Sequence, residues 1–460
     1  MKGKRNIFHP RSRIVKIGAR GLQNTKTKLF ALLLFSVMIV GLFALSPTFS
    51  SLMNSVVIKS TGKISLLSIT AKSGSPADIQ TAVNAMAAAG GGTVYIPAGN
   101  FTFNITSDGK TGVDNRRTGV SVPGGVNIIG AGNNQTILFV PIDAWNSTNY
   151  GFVVANRMFT LDGSNGKSIR ISGIYFQGSV NMSGGPQSDN YPALSAIAIY
   201  GVKDYRVDHN TFIDFDNYAV GTSNNYVHKW NRGVIDHNII DNPYKDLYWN
   251  LTGASSLWAY GVIVGGNYPN WPAESYYVGQ YTNDTAFIED NSFARCRHAI
   301  AESADGGWFV ARYNNFTTMI TSFYGSYIDV HGGGRGMEIY NNTITNSLSD
   351  YRSGPGNTGY LGLGTNPRGG AGLVFNNTFI NFPNGWAIQL TNDQSNSLYK
   401  LHDYWIWSNT FTNSLSTVHT VPNDFPITLD VDYFLRAPNQ TLDGFSYSPY
   451  PYPHPLTQSS

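Results

Sequence analysis

The 460-residue chain has a single cysteine, Cys296, so no disulfide can form within it and packing and hydrogen bonds must hold the fold. Charge is scarce as well, at 13% of residues. Solvated amphipathic helices need more, whereas 49 glycines with plentiful Asn, Ser, Thr and Tyr favour turns and strands, so a mostly β chain is expected. Acid is missing from the first 77 residues: Asp78 is the first carboxylate, and twelve of the 31 Lys and Arg precede it. Without the nine basic residues from Lys2 to Lys28, 22 basic side chains face 28 acidic ones. A body so balanced lacks the basic surface that phosphate contacts require, which argues against nucleic acid as a partner. GGGT and HGGGRG lack the strand-to-helix context that aims amides at a phosphate, so no nucleotide is expected. No cofactor is expected either. Calcium needs several converging oxygens and the acids are scattered, and zinc has less support still.

Long apolar runs are absent except one. Residues 1–28 are a basic n-region, and they lead into LFALLLFSVMIVGLFAL, 17 uncharged residues within a segment at 29–46. A basic flank before such a run fits a long signal peptide or a transmembrane signal anchor with its N-terminus in the cytoplasm. Pro47 beyond Ser46 and the long n-region favour the anchor, so the membrane is an expected partner and the body is expected outside the cytoplasm, secreted or on the cell surface. Ten Asn-x-Ser/Thr sequons permit glycosylation there, although Asn is common enough for chance to supply most.

Residues 47–70 read as a linker. Then SPADIQTAVNAMAAAG carries helix punctuation, Pro at the start, an acid in the first turn and Gly at the end. From here the chain repeats: a short β-branched or aromatic strand, an Asn, and a second strand, in RVDHNTFIDF, GVIDHNIIDN, AFIEDNSFARC, FVARYNNFTTM, MEIYNNTITNS, LVFNNTFINF and YWIWSNTFTNS. The repeated asparagines are Asn210, Asn238, Asn291, Asn314, Asn342, Asn377 and Asn409, at spacings that suit one coil of a β-solenoid. Asn tolerates a left-handed corner and stacked copies can bond to each other, so all seven read as structural. Third strands lie between and beyond the units, SAIAIYG, YAVGTS, AYGVIVGG, HAIAES, YIDVHGG, YLGLGT, WAIQLT and PITLDV, and these are expected to stack as one parallel sheet. The expectation is an all-β, three-sheet solenoid over residues 71–435, its open N-terminal end capped by the helix, with a Pro/Tyr-rich tail at 436–460.

SPADIQTAVNAMAAAGGGTVYIPAGNFTF followed by VNIIGAGNNQTILF resembles the opening of the pectin-lyase-like right-handed parallel β-helix superfamily, a likeness covering roughly residues 70–435. The tail YSPYPYPHPL resembles that of a subgroup of surface β-helix proteins ending in Tyr-Pro-His-Pro-Leu. The resemblance implies extracellular polysaccharide as substrate class, cut by β-elimination or hydrolysis. The chain has neither the paired-aspartate strand with a Gly-His-Gly loop of polygalacturonases nor the Arg-x-Pro-x-x-Arg segment of classical pectate lyases. Its DHN triplets at Asp208–Asn210 and Asp236–Asn238 fall in the repeating corner and read as structural.

Chemistry is expected between Arg297 and Glu338. If Ile328 and Val330 point inward, alternation puts Asp329 and His331 together on the outer face, as a base and its orienter or with His331 as general acid. Gly362 and Gly364 on the next rung would leave room for a ligand. Arg312 and Arg335 are candidates for a uronate carboxylate or an enolate, and Glu302 for the same cleft. His298 is a candidate only if its strand bulges, because an inward Ile300 would otherwise bury it. Two aromatic-rich excursions offer Trp249, Trp258, Trp271, Tyr276 and Tyr277 as a wall for sugar rings. The functional expectation is an extracellular polysaccharide-interacting protein, either a lyase or glycoside hydrolase using the Asp329/His331 groove, or a non-catalytic adhesin, glycan binder or envelope component whose glycan partner sits on a cell surface.

Overall fold

The structure is a computed structural model that describes residues 67–105, 117–141, 156–179, 194–215, 217–223, 231–243, 259–266, 278–279, 281, 284–303, 306–319, 326–331, 333–346, 363–383, 386–392, 399–423 and 425–458. The basic region 1–28, the apolar segment 29–46 and most of the linker lie outside them. Among the described residues no helix is long and apolar enough to cross a membrane.

Among the described residues thirty-two strands form three sheets of twelve, ten and ten; each of ten coils gives one strand to each sheet, and the first sheet has one further strand at either end. The first sheet takes the strand before each repeated Asn, such as Lys203–Asp208, Arg232–Asp236, Ala286–Glu289 and Trp308–Arg312. The second takes the short strand after it, such as Thr211–Ile213 and Ile239–Asp241. The third takes Leu194–Tyr200, Tyr218–Ser223, Tyr260–Gly265, His298–Ser303, Ser326–His331, Leu363–Pro367 and Ile388–Thr391. Neighbours pair in parallel, in the arrangement of a right-handed parallel β-helix.

Like residues stack because register is kept from coil to coil. Val207, Ile235, Ile288, Ala311, Ile339, Val374 and Ile406 form one column of the first sheet, all pointing into the core. Phe212, Ile240, Phe293, Phe316, Ile344, Phe379 and Phe411 form another in the second sheet. Each wholly buried Val, Ile or Phe among them contributes about 1.5–3 kcal/mol relative to exposure. Interior packing of this kind replaces the disulfides that the sequence cannot make.

The seven asparagines form a ladder, buried at every rung but the last, Asn409. Asn314 shows its unit: its backbone N–H and Nδ2 both donate to Oδ1 of Asn342, at 3.0 and 3.1 Å, and Nδ2 also reaches Ile288 O. The same pattern links Asn210 to Asn238 and Asn377 to Asn409. The left-handed corner, however, falls one residue earlier, at His209, His237, Asp290, Tyr313, Asn341, Asn376 and Ser408, with φ between 54 and 57°. The ladder Asn turns inward to bond, so the preceding residue takes the bend.

PITLDV does not continue the third sheet. Val418–Val421 does so instead, pairing with Ile388–Thr391, while Leu429 makes only an isolated bridge to Tyr433. The Asp432 carboxylate accepts the Thr428 N–H, and Thr428 O closes a turn with the amides of Val431 and Asp432, which consumes the groups a ladder would need.

Helix α1, Pro76–Ala88, begins at Ser75, whose hydroxyl accepts the Asp78 N–H, and buries Ile79, Ala82, Val83 and Met86. Its Gln80 side-chain amide bonds both the N–H and the C=O of Ser121, in the edge strand of the third sheet.

Candidate functional site

The expected site residues divide between two outer faces. Ile328 and Val330 lie in the core, and Asp329 turns to the other face of the third sheet. There Asp329 Oδ1 accepts from Asn366 Nδ2 at 3.0 Å and Arg368 Nε at 2.9 Å, and Oδ2 accepts from Arg368 Nη2 at 3.1 Å. This fork-to-fork pairing fixes the carboxylate's orientation. His298 joins it because its strand bends: Ala299 and Ile300 both face inward, as do Tyr327 and Ile328 beside them, which returns His298 to the outer side. Its Nε2 lies 3.7 Å from Asp329 Oδ2, and its Nδ1 is held at Ser326, 3.1 Å from the carbonyl oxygen and 3.2 Å from Oγ. The Tyr260 ring packs 5.1 Å from the imidazole, one coil earlier.

Burial sets the protonation states. It pushes the His298 imidazole down to about 4, against the pull of Asp329, and the Tyr260 phenol up to about 12. A neutral imidazole and a neutral phenol therefore sit side by side at neutral pH, a base next to an acid.

A hydrogen-bonded row continues from Asp329 along one register column. Asn366 Oδ1 accepts from Gln389 Nε2 and Thr391 Oγ1, and His419 follows Gln389 in register with Trp386 6.1 Å away. The row emerges as it goes: Asp329 and Asn366 are buried, Gln389 and Trp386 half-buried, and His419 exposed.

Several expectations are corrected. Arg312 and Arg335 belong to first-sheet strands, Trp308–Arg312 and Gly334–Tyr340, and do not reach Asp329; the arginine that does is Arg368. Arg335 is buried against Asp284 and Gly306 O, its guanidinium 5.6 Å from the Trp308 ring. Gly364 faces inward, where a Cβ would meet Ala387 O and the Phe379 ring, so it makes room for the core and not for a ligand. Glu302 pairs in register with Val264 and Val330. The side chains of Glu302 and His331, with Gly362, Trp249, Trp258, Trp271, Tyr276 and Tyr277, lie outside the described residues. Tyr260, Asn366 and Arg368 were missed by sequence reasoning. The signal for Asn366 and Arg368 was their place one coil beyond Asp329, readable once register is known.

The outer face of the first sheet is covered by the chain's own C-terminal segment. Arg312 Nη1 and Nη2 donate to Tyr450 O and Pro451 O at 2.7 and 2.8 Å, and the His454 N–H donates to Glu289 Oε1 at 2.8 Å. Tyr447 and Tyr281 hydroxyls both donate to Glu338, and Arg206 reaches Thr457 O. Between these charges an apolar stripe that includes Phe287, Val310, Tyr340 and Phe375 packs against Tyr447, Tyr450 and Leu456. Asp208 and Asp236 are structural here, clasped by Arg170 and Arg206. Among the described residues no group of three or more His, Cys, Asp or Glu is placed to hold a metal.

No family model matches the sequence, and neither does any curated protein. Among solved structures the chain is similar to a hyperthermoactive exopolygalacturonase from Thermotoga maritima, at 11% identity and a TM-score of 0.42, over 81% of this chain and 95% of that one. It is similar also to the tailspike protein of E. coli bacteriophage HK620, at 13% and 0.38, over 77% and 61%. A third is the A-module of mannuronan C-5 epimerase AlgE4 from Azotobacter vinelandii, at 13% and 0.29, over 75% and 94%. Such identities and scores carry nothing about activity. By its own three parallel sheets, the chain is a parallel β-helix.

Proposed function

We propose that this is an extracellular or cell-surface protein that binds polysaccharide along the outer face of its third sheet, carried out of the cytoplasm by residues 29–46. The observation that carries the reading is the emerging polar row Asp329, Asn366, Gln389 and His419, with Trp386 beside its open end. Hydroxyl-rich rings need fixed donors and acceptors and an aromatic face to stack on, and the row offers both at one-coil spacing. Its buried end holds the open end in place, because Asn366 is oriented by Asp329 and Arg368 behind it. In this reading α1 closes the N-terminal end of the solenoid, supported by the Gln80 contacts to the edge strand.

A second reading, β-elimination, draws on the neutral His298 and Tyr260 beside Asp329. Hydrolysis is less well supported, since it needs two working carboxylates and that of Asp329 is already engaged by Arg368 and Asn366. Incubating the purified chain with acidic and neutral polysaccharides separates these. Binding without new reducing ends supports the first reading. Reducing ends with ultraviolet absorbance from unsaturated uronates would replace it with the lyase, and failure to retain any glycan would overturn both.

A further inference from the structure

On the corner between the first and second sheets, His209 and His237 occupy equivalent positions on adjacent coils, both with φ of 54°. Their rings are stacked 4.9 Å apart and within 4° of parallel, and both side chains are open to solvent, at 56% and 46% exposure. Each Nδ1 contacts the carboxylate of the preceding residue, His209 to Asp208 Oδ2 at 2.8 Å and His237 to Asp236 Oδ2 at 3.0 Å. Those carboxylates are buried and immobilised. Arg170 grips Asp208 with two bonds, helped by Ser172, and Arg206 grips Asp236 with two.

An ionised carboxylate only accepts, so the hydrogen of each neutral ring sits on Nδ1 and the Nε2 lone pair points outward. Carboxylate, imidazole Nδ1–H and a free Nε2 is the outer-shell arrangement that orients metal-ligating histidines. Here it occurs twice, side by side, with both rings hung the same way. We propose that His209 and His237 together bind one borderline divalent transition-metal ion, zinc, copper or nickel, through their Nε2 atoms.

The spacing permits it. Bonds of ~2.1 Å to one ion allow two nitrogens to be at most ~4.2 Å apart; the ring centroids are 4.9 Å apart and the planes parallel, so binding requires both exposed rings to rotate until their Nε2 lone pairs, now side by side, converge. Imidazole donors select these ions over calcium and magnesium, which take oxygen. The next residue in the corner column, Asp290, is held by the Tyr452 hydroxyl at 2.7 Å, so two protein ligands are supplied and the remaining positions stay open to water or an incoming donor.

The test titrates the purified chain, carrying no histidine tag, with Zn2+ by calorimetry and with Cu2+ by electron paramagnetic resonance. His209→Asn and His237→Asn are the variants to compare, because asparagine already fills the same corner at positions 341 and 376 with φ of 56 and 54°. The expected result is a site of one ion per chain, with two nitrogen ligands to Cu2+, that is lost in each single variant while circular dichroism is unchanged. Absence of that site in the parent chain, a single nitrogen ligand, or survival of the site in either variant would overturn the proposal.

Discussion

Arg312 and Glu289 form an ion pair on neighbouring coils with neither side chain exposed, Nη2 2.6 Å from Oε2, and the C-terminal segment supplies further hydrogen bonds to both. Burial pushes the Glu289 carboxyl up despite the guanidinium beside it, which shows how far the pair has been taken from water. Removing one partner strands the other. Arg312→Leu is therefore expected to cost about 3–5 kcal/mol in denaturant unfolding, and Arg312→Leu with Glu289→Leu to recover most of that. A double variant no more stable than the single one would contradict the pairing.

Truncation after Phe445 uncovers the same face. It exposes the Phe287 and Phe375 stripe together with Arg206, Arg312 and Glu338, so the expected outcome is a lower thermal midpoint and new binding of a hydrophobic dye. An unchanged midpoint would mean that the segment adds nothing to stability.

The asparagine ladder makes a graded prediction. Asn314→Ala removes the Oδ1 that accepts from the Asn291 N–H and Nδ2 and the Nδ2 that donates to Ile288 O and Asn342 Oδ1, leaving the buried Asn291 N–H without its acceptor, at a cost of about 2–3 kcal/mol. Asn409→Ala, at the last rung and less buried, should cost less. Chemical denaturation of the two variants, compared with the parent, checks the order.

Stability should fall on mild acidification. The His298 and His454 imidazoles are held down to about 4 by burial, below the ~6.5 of an unfolded chain. Their contribution is thus fully present above ~6.5 and is lost progressively as pH drops toward 4, because the unfolded state takes up protons first. Raised carboxyls at Glu289 and Glu338 act in the opposite sense, so the comparison must be by difference. Unfolding free energies at pH 7 and pH 4.5 should differ less in a His298→Asn variant than in the parent.

Much of the fold was legible because a solenoid writes its period into the chain. Asn between two short strands rich in β-branched and aromatic residues repeats wherever a coil turns, and Ile328-Asp329-Val330 carries the alternation that places Asp329. What stayed hidden was non-periodic. The inward pair Ala299 and Ile300 breaks the two-residue rhythm and brings His298 to Asp329, which no pattern of alternation yields. Nothing local to Arg312 says that Tyr450, 138 residues later, will lie on it. Gly364 looked like space for a ligand because a missing side chain reads alike on either face, and the left-handed corner was assigned one residue late because the ladder Asn is the more conspicuous of the two.

The central claim is that glycan is held on the open end of the third-sheet row. Its most direct test is affinity electrophoresis against the polysaccharide that the parent chain retains, using Trp386→Ala and Gln389→Ala beside the truncation after Phe445. Retention should drop at least about tenfold in the first two, as expected for losing a stacking face or an oriented donor worth ~1.4 kcal/mol or more, and should persist in the truncated chain if it stays folded. Full retention in the Trp386 and Gln389 variants, or loss only on truncation, would contradict the account and move the binding face to the first sheet.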